Sequence, residues 1–89
     1  TAAELGLINR AVPAAGLDAA VDALLEKLLA KSPVAIRTGK QMFYRQLEMG
    51  IEDAYRYAGE TMACNMMAED TGEGIDAFIE KRNAVWRGR

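Results

Sequence analysis

Cys64 is the only thiol among 89 residues, and the chain contains no histidine. A thiolate nucleophile needs a nearby base and an internal disulfide needs a second cysteine, so the sequence assigns neither chemistry to it. The hydroxyls of Tyr44, Tyr55 and Tyr57 have no paired base that would mark an acid catalyst. Glu52, Asp53, Glu69, Asp70 and Glu73 fall near expected helix starts, where capping and the helix dipole account for carboxylates. Met62, Met66 and Met67 have the adaptability to line a pocket for a flexible apolar chain, but core packing or subunit contact is the commoner use. Lys31, Arg37, Lys40 and Arg45 recur at helical spacings that suit a phosphate, although a solvated face explains them as well. Phe78 sits on an apolar stripe and reads as a core aromatic; Lys81 and Arg82 follow near a helix end, where a cation contributes about 0.3–1 kcal/mol with no ligand at all. No residue is marked as catalytic, and none as a metal ligand.

The elements that must position these groups are helical. Leu17 to Lys31 carries Leu17, Val21, Leu24, Leu25 and Leu28 on one stripe, with Asp18, Asp22, Glu26 and Lys27 largely off it. Ser32 before Pro33 is a favourable N-cap and first-turn pair, so a second helix is predicted from Pro33 to Glu48. Met49 and Gly50 break it. Ile51, Ala54, Tyr55, Ala58, Met62 and Met66 then trace a third stripe, predicted to run through Met67. Asp70 and Glu73 have the spacing of a capping box for a fourth helix over Thr71 to Arg82, with Ile75, Phe78 and Ile79 inward and an extended tail from Asn83. Before all of these, Thr1 to Glu4 suits the last turn of a helix stopped by Gly6. Leu7, Ile8, Ala11 and Val12 suit a short extended stretch ending at Pro13. Such a strand has no partner in this chain, which points to a sheet or cleft supplied from elsewhere.

Composition agrees with helices. The chain is 51% hydrophobic and rich in alanine, with five methionines, and is small enough that its stability alone is marginal. Eleven basic and thirteen acidic residues leave a net charge of −2, which gives no general pull toward nucleic acid or an anionic membrane. No apolar run has the roughly 20 residues of a membrane span, and no signal-peptide pattern opens the chain. The lone cysteine suits a reducing compartment. Thr1 leads straight into AAELGLINR with no initiating methionine, as the middle of a longer sequence would.

Three stretches in order carry a resemblance. The run EGIDAFIEKR, followed four residues later by the aromatic Trp86, resembles the closing signature EG-x-x-AF-x-EKR-x-P-x-F of the enoyl-CoA hydratase (crotonase) superfamily. ELGLINRAVP looks like that family's E-x-x-x-GLVN-x-VVP element, and LDAAVDALLEKLLAKSPVAIRTGKQMF resembles the stretch that follows it. The order and spacing of the pieces are more specific than any one of them. Ala84 departs from the family's proline, and Trp86 takes the following aromatic position, so the tail's packing angle is the least constrained feature.

The resemblance implies an all-α C-terminal helical domain of a crotonase-like fold, three to four helices preceded by a short extended segment. Residues 1–13 would be the end of the core and its linking strand, and 14–89 the domain that assembles subunits and covers the CoA site. It implies an acyl-CoA thioester as ligand, the chain's own N-terminal crotonase core as partner, and a homotrimer or dimer of trimers. Phe78 and Lys81 match the positions that meet the nucleotide end of CoA; i and i+3 on a helix share a side, which suits an aromatic surface for adenine and an ammonium for phosphate. No cofactor is implied, since coenzyme A is part of the substrate. The family's oxyanion amides and paired glutamates belong to the core and are absent here, so the chain by itself is expected to be inactive. A cytoplasmic setting, or the mitochondrial matrix in a eukaryote, fits. The competing reading is a noncatalytic helical interaction module, with a crotonase-like protein of different thioester chemistry between the two.

Overall fold

The computed structural model describes all residues from 1 to 89 and contains helices and turns but no strand. Its contacts divide the chain into two compact units, Thr1–Ala30 and Lys31–Arg89.

In the first unit, the amides of Gly6 and Leu7 donate to the carbonyls of Ala3 and Ala2, at 3.2 and 3.0 Å. This is the hydrogen-bond pattern of a Schellman stop, with Gly6 at φ +77. Residues 7–13 form bends and irregular chain; the apolar stretch expected to be extended pairs with nothing. A short 3-10 turn, Ala14–Gly16, leads into helix α1, Leu17–Leu29. The stripe read from the sequence is present, and it is open: Leu17, Val21, Leu24, Leu25 and Leu28 are all exposed.

The second unit holds α2 (Pro33–Gln46), α3 (Ile51–Met66) and α4 (Glu69–Glu80). Ser32 caps α2 as expected, its Oγ accepting from the Ala35 amide at 3.4 Å with Pro33 in the first turn. α2 ends two residues earlier than predicted, with Leu47 as its C-cap. α2 packs along α3, and α3 turns into α4 through Thr71, whose hydroxyl donates to the Asn65 carbonyl at 2.7 Å. The same carbonyl, in the last turn of α3, also accepts from the Ala68 amide at 3.1 Å.

Helix α4 corrects the sequence reading. It begins at Glu69, its N-cap is Ala68, and no side chain caps it. Asp70 and Glu73 do not form the expected capping box. Both carboxylates are bonded to the segment after the helix, residues 82–89, which folds back as a strap. The strap returns the favour at the helix start, where the Asp70 amide donates to the main-chain oxygen of Arg89 at 2.9 Å. A second correction concerns Ile75, Phe78 and Ile79, expected inward. All three are exposed. The apolar periodicity is present on α4, and no residue of this unit covers it. Ala77 is the only buried hydrophobic residue, beside the buried polar residues Ser32 and Asp70. Full burial of one leucine-sized side chain is worth roughly 1.5–3 kcal/mol, and no large side chain here collects it.

Candidate functional site

α4 and the strap bring the chemistry of the second unit together. Glu80 is the last residue of the helix, and Lys81 follows as its C-cap at φ 55, ψ 42. It is the only non-glycine residue in the chain with positive φ. The Lys81 amide donates to the Phe78 carbonyl at 3.3 Å and the Arg82 amide to the Ala77 carbonyl at 3.0 Å. This is a Schellman stop with lysine where glycine is usual. Phe78 and Lys81 are therefore close neighbours at the end of α4. Because Lys81 lies past the helix in left-handed backbone, the helical i, i+3 rule does not set its direction.

Phe78 is 84% exposed. It lines an open groove of about 460 Å³ together with Val34, Gly74, Ile75 and Trp86. The indole of Trp86 lies against Gly74, where a Cβ would stand only 3.2 and 3.3 Å from two of its ring carbons. A residue without a side chain is what lets the ring approach the helix. Asn65 is also on the groove wall, with its Oδ1 buried and unpaired.

Glu73 and Asp70 bond to the main chain of the strap, while Glu80 and Glu69 add side-chain pairs to Arg82 and Arg89. Glu73 Oε1 accepts from Arg82 Nη1 at 2.6 Å and from the Val85 amide at 2.7 Å, while Oε2 accepts from Arg82 Nη2 at 3.1 Å. This bidentate pair holds Glu73 down from the usual carboxylate range to about 2, the Arg82 hydrogen bonds contributing most and the Val85 amide next. Arg82 in turn is pushed up, by Glu73 first and then Glu80. Asp70, only 3% exposed, accepts from the Ser32 hydroxyl at 2.7 Å and from the amides of Arg87 and Gly88 at 2.8 and 3.1 Å. The successive amides of Arg87 and Gly88 converge on one carboxylate, and Gly88 then turns the chain at φ +77. The Ser32 hydroxyl is the main cause of a lowered Asp70 pKa, and with the two amides it outweighs the opposing effects of burial and of Glu73.

The remaining candidates stay apart. Cys64 is exposed and unpaired, and Met62, Met66 and Met67 are exposed along α3 and its end. Arg45 stacks its guanidinium over Tyr57 at 5.3 Å, Asp53 pairs with Arg56, and Tyr44 packs edge-on against Phe43 at 5.4 Å. No three His, Cys, Asp or Glu residues converge as metal ligands would. Sequence reasoning missed the union of Ser32 with Asp70, 38 residues apart, and no local pattern signals it.

The model of the enoyl-CoA hydratase/isomerase family matches residues 1–89, the whole chain. The chain belongs to this family. Among curated relatives, the mitochondrial enoyl-CoA hydratase domain-containing protein 3 of Mus musculus is 37% identical over 81 residues, covering 91% of this chain and 27% of that protein. A carnitinyl-CoA dehydratase of Escherichia coli is 38% identical over 88 residues, covering 94% of this chain and 34% of that protein. A crystal structure of an enoyl-CoA hydratase of Mycobacterium smegmatis matches with a TM-score of 0.89 at 49% identity, over 96% of this chain and 33% of that one. The chain thus spans about a third of the length of these relatives. Its all-helical architecture is that of the helical C-terminal part of the crotonase fold. No helix is long and apolar enough to cross a membrane.

Proposed function

We propose that this chain is the C-terminal helical part of an acyl-CoA-processing enzyme of the hydratase or isomerase type. Its role there is to assemble with an N-terminal crotonase core and with neighbouring subunits as a trimer or dimer of trimers, and to close the CoA site. Acyl-CoA is the ligand and coenzyme A enters as part of it, with no further cofactor. The core supplies catalysis, and a cytoplasmic or matrix setting suits the chemistry.

The observation that carries this reading is the pairing of a nearly fully exposed Phe78 with a lysine in left-handed backbone. An exposed aromatic and a strained cation side by side are both poor choices for stability. Each has a use at the edge of a nucleotide site, the ring against a base and the ammonium against phosphate. The uncovered stripes of α1 and α4 supply the apolar surface that assembly would bury. The test is CoA-thioester affinity of the enzyme containing this chain, in Phe78→Ala and Lys81→Ala variants. Weaker binding in both is expected; unchanged affinity in both rejects the assigned contacts.

A further inference from the structure

We propose that Glu73 is a positioning residue for Lys81, fixing the reversal of the chain that aims the lysine out of α4. The proposal rests on the CoA-edge reading and adds to it a residue that does not touch the ligand.

Lys81 is the last residue before the strap, and its left-handed conformation is the turn itself. Left alone, an L-residue leaves that conformation readily, because its Cβ crowds the following carbonyl. Something must hold the chain on the far side of the turn. Glu73, two turns back on α4, grips the strap at both Arg82 and Val85. Its Oε1 is shared between the Arg82 guanidinium and the Val85 amide, so one side chain spans the first four residues of the strap. The bidentate geometry fixes direction as well as distance. Glu80 also pairs with Arg82, but from the end of the helix, with no bond across the strap to Val85. Asp70 acts at the far end of the strap, on Arg87 and Gly88. Glu73 alone grips both Arg82 and Val85, and none of its bonds goes to the Lys81 side chain.

A positioning role differs from a merely structural one in that its effect vanishes when Lys81 is gone. The experiment is a double-mutant cycle in the enzyme containing this chain, with Kd for coenzyme A measured by calorimetry in the parent, Lys81→Ala, Glu73→Gln and the combination. Lys81→Ala is expected to weaken binding by about tenfold or more, as for a lost hydrogen bond to a charged group. Glu73→Gln is expected to weaken it by a smaller factor, and to add nothing further in the Lys81→Ala background. Arg82→Lys breaks the same fork while keeping the charge, and should repeat this result if Glu73→Gln does not fold. Equal losses from Glu73→Gln in both backgrounds, or no loss beside a clear effect of Lys81→Ala, would overturn the positioning role and leave the CoA reading standing. No effect of Lys81→Ala itself would remove the CoA contact, and this proposal with it.

Discussion

Replacing Lys81 with glycine should stabilise the end of α4 while weakening ligand binding. At φ 55, ψ 42 the lysine carries the cost of left-handed backbone, about 1–2 kcal/mol for an L-residue. Glycine removes that cost, but its unfolded chain has more freedom to lose, which gives back roughly 0.4–1 kcal/mol. The net gain is about 0.5–1 kcal/mol. Alanine keeps the strain while removing the ammonium and its methylene stem, so it serves as the control: Lys81→Ala and Lys81→Gly should bind CoA equally poorly yet differ in stability. Because an assembled oligomer need not unfold in two states, the measurement belongs at the site itself. Native-state hydrogen exchange of the Arg82 amide, which donates to Ala77 across the stop, reports its opening. The glycine variant should exchange roughly two- to fivefold more slowly than the alanine variant, the factor that corresponds to this net gain. Exchange as fast in glycine as in alanine would refute the claim that strain is stored at Lys81.

Other expectations follow from the same geometry. Gly72 and Gly74 share α4, and a Cβ at Gly72 meets nothing while one at Gly74 meets the Trp86 ring, so Gly72→Ala should gain the full ~1 kcal/mol of helix propensity and Gly74→Ala clearly less. Equal gains in denaturation experiments would place the ring elsewhere. Glu73 is held at about 2, so the stability it lends the strap is present above about pH 4.5 and is lost as pH falls through about 2; Asp70, also lowered, acts in the same direction. Trp86 is the chain's single tryptophan, and its fluorescence should report release in that window; a transition centred near neutrality would contradict the assignment. Ser32→Ala removes a helix cap and a donor to Asp70 and should cost about 1 kcal/mol of unfolding free energy in urea denaturation, whereas Ser32→Thr should keep most of both bonds. A neutral Ser32→Ala would show that the Ser32 bonds add nothing net to stability.

The helices were legible in the sequence because each carries its own periodicity and punctuation. Ser32-Pro33 starts α2, Gly50 precedes α3, and the stripe of α1 is regular over three turns. The family was legible too, through ordered motifs. What local pattern misassigned were the partners of polar groups. Asp70 and Glu73 have the residue types of a capping box, but their bonds go to amides and a guanidinium 9 to 18 residues further on and, for Asp70, to the Ser32 hydroxyl 38 residues before it. The inward direction of Phe78 failed for a different reason. Periodicity says that a face is apolar and says nothing about which chain covers it.

The distribution of burial bears on how such a surface can be ready for use. In the second unit the enclosed residues are Ser32, Asp70 and Ala77, while Ile75, Phe78 and Ile79 point outward. Apolar burial holds helices together through a force that is itself non-directional. Hydrogen bonds to a buried carboxylate resist sliding, because a displaced donor leaves a polar group unpaired away from water. Asp70 ties the start of α2 to the strap, and Glu73 ties the strap to the middle of α4. The polar interior thus fixes a shape, and the apolar residues of α4 are left exposed, as the proposed assembly requires. If the proposed function holds, weakening Asp70 or Glu73 should cost ligand affinity more than helix content, whereas replacing Ile75 or Ile79 should cost assembly and leave the strap in place.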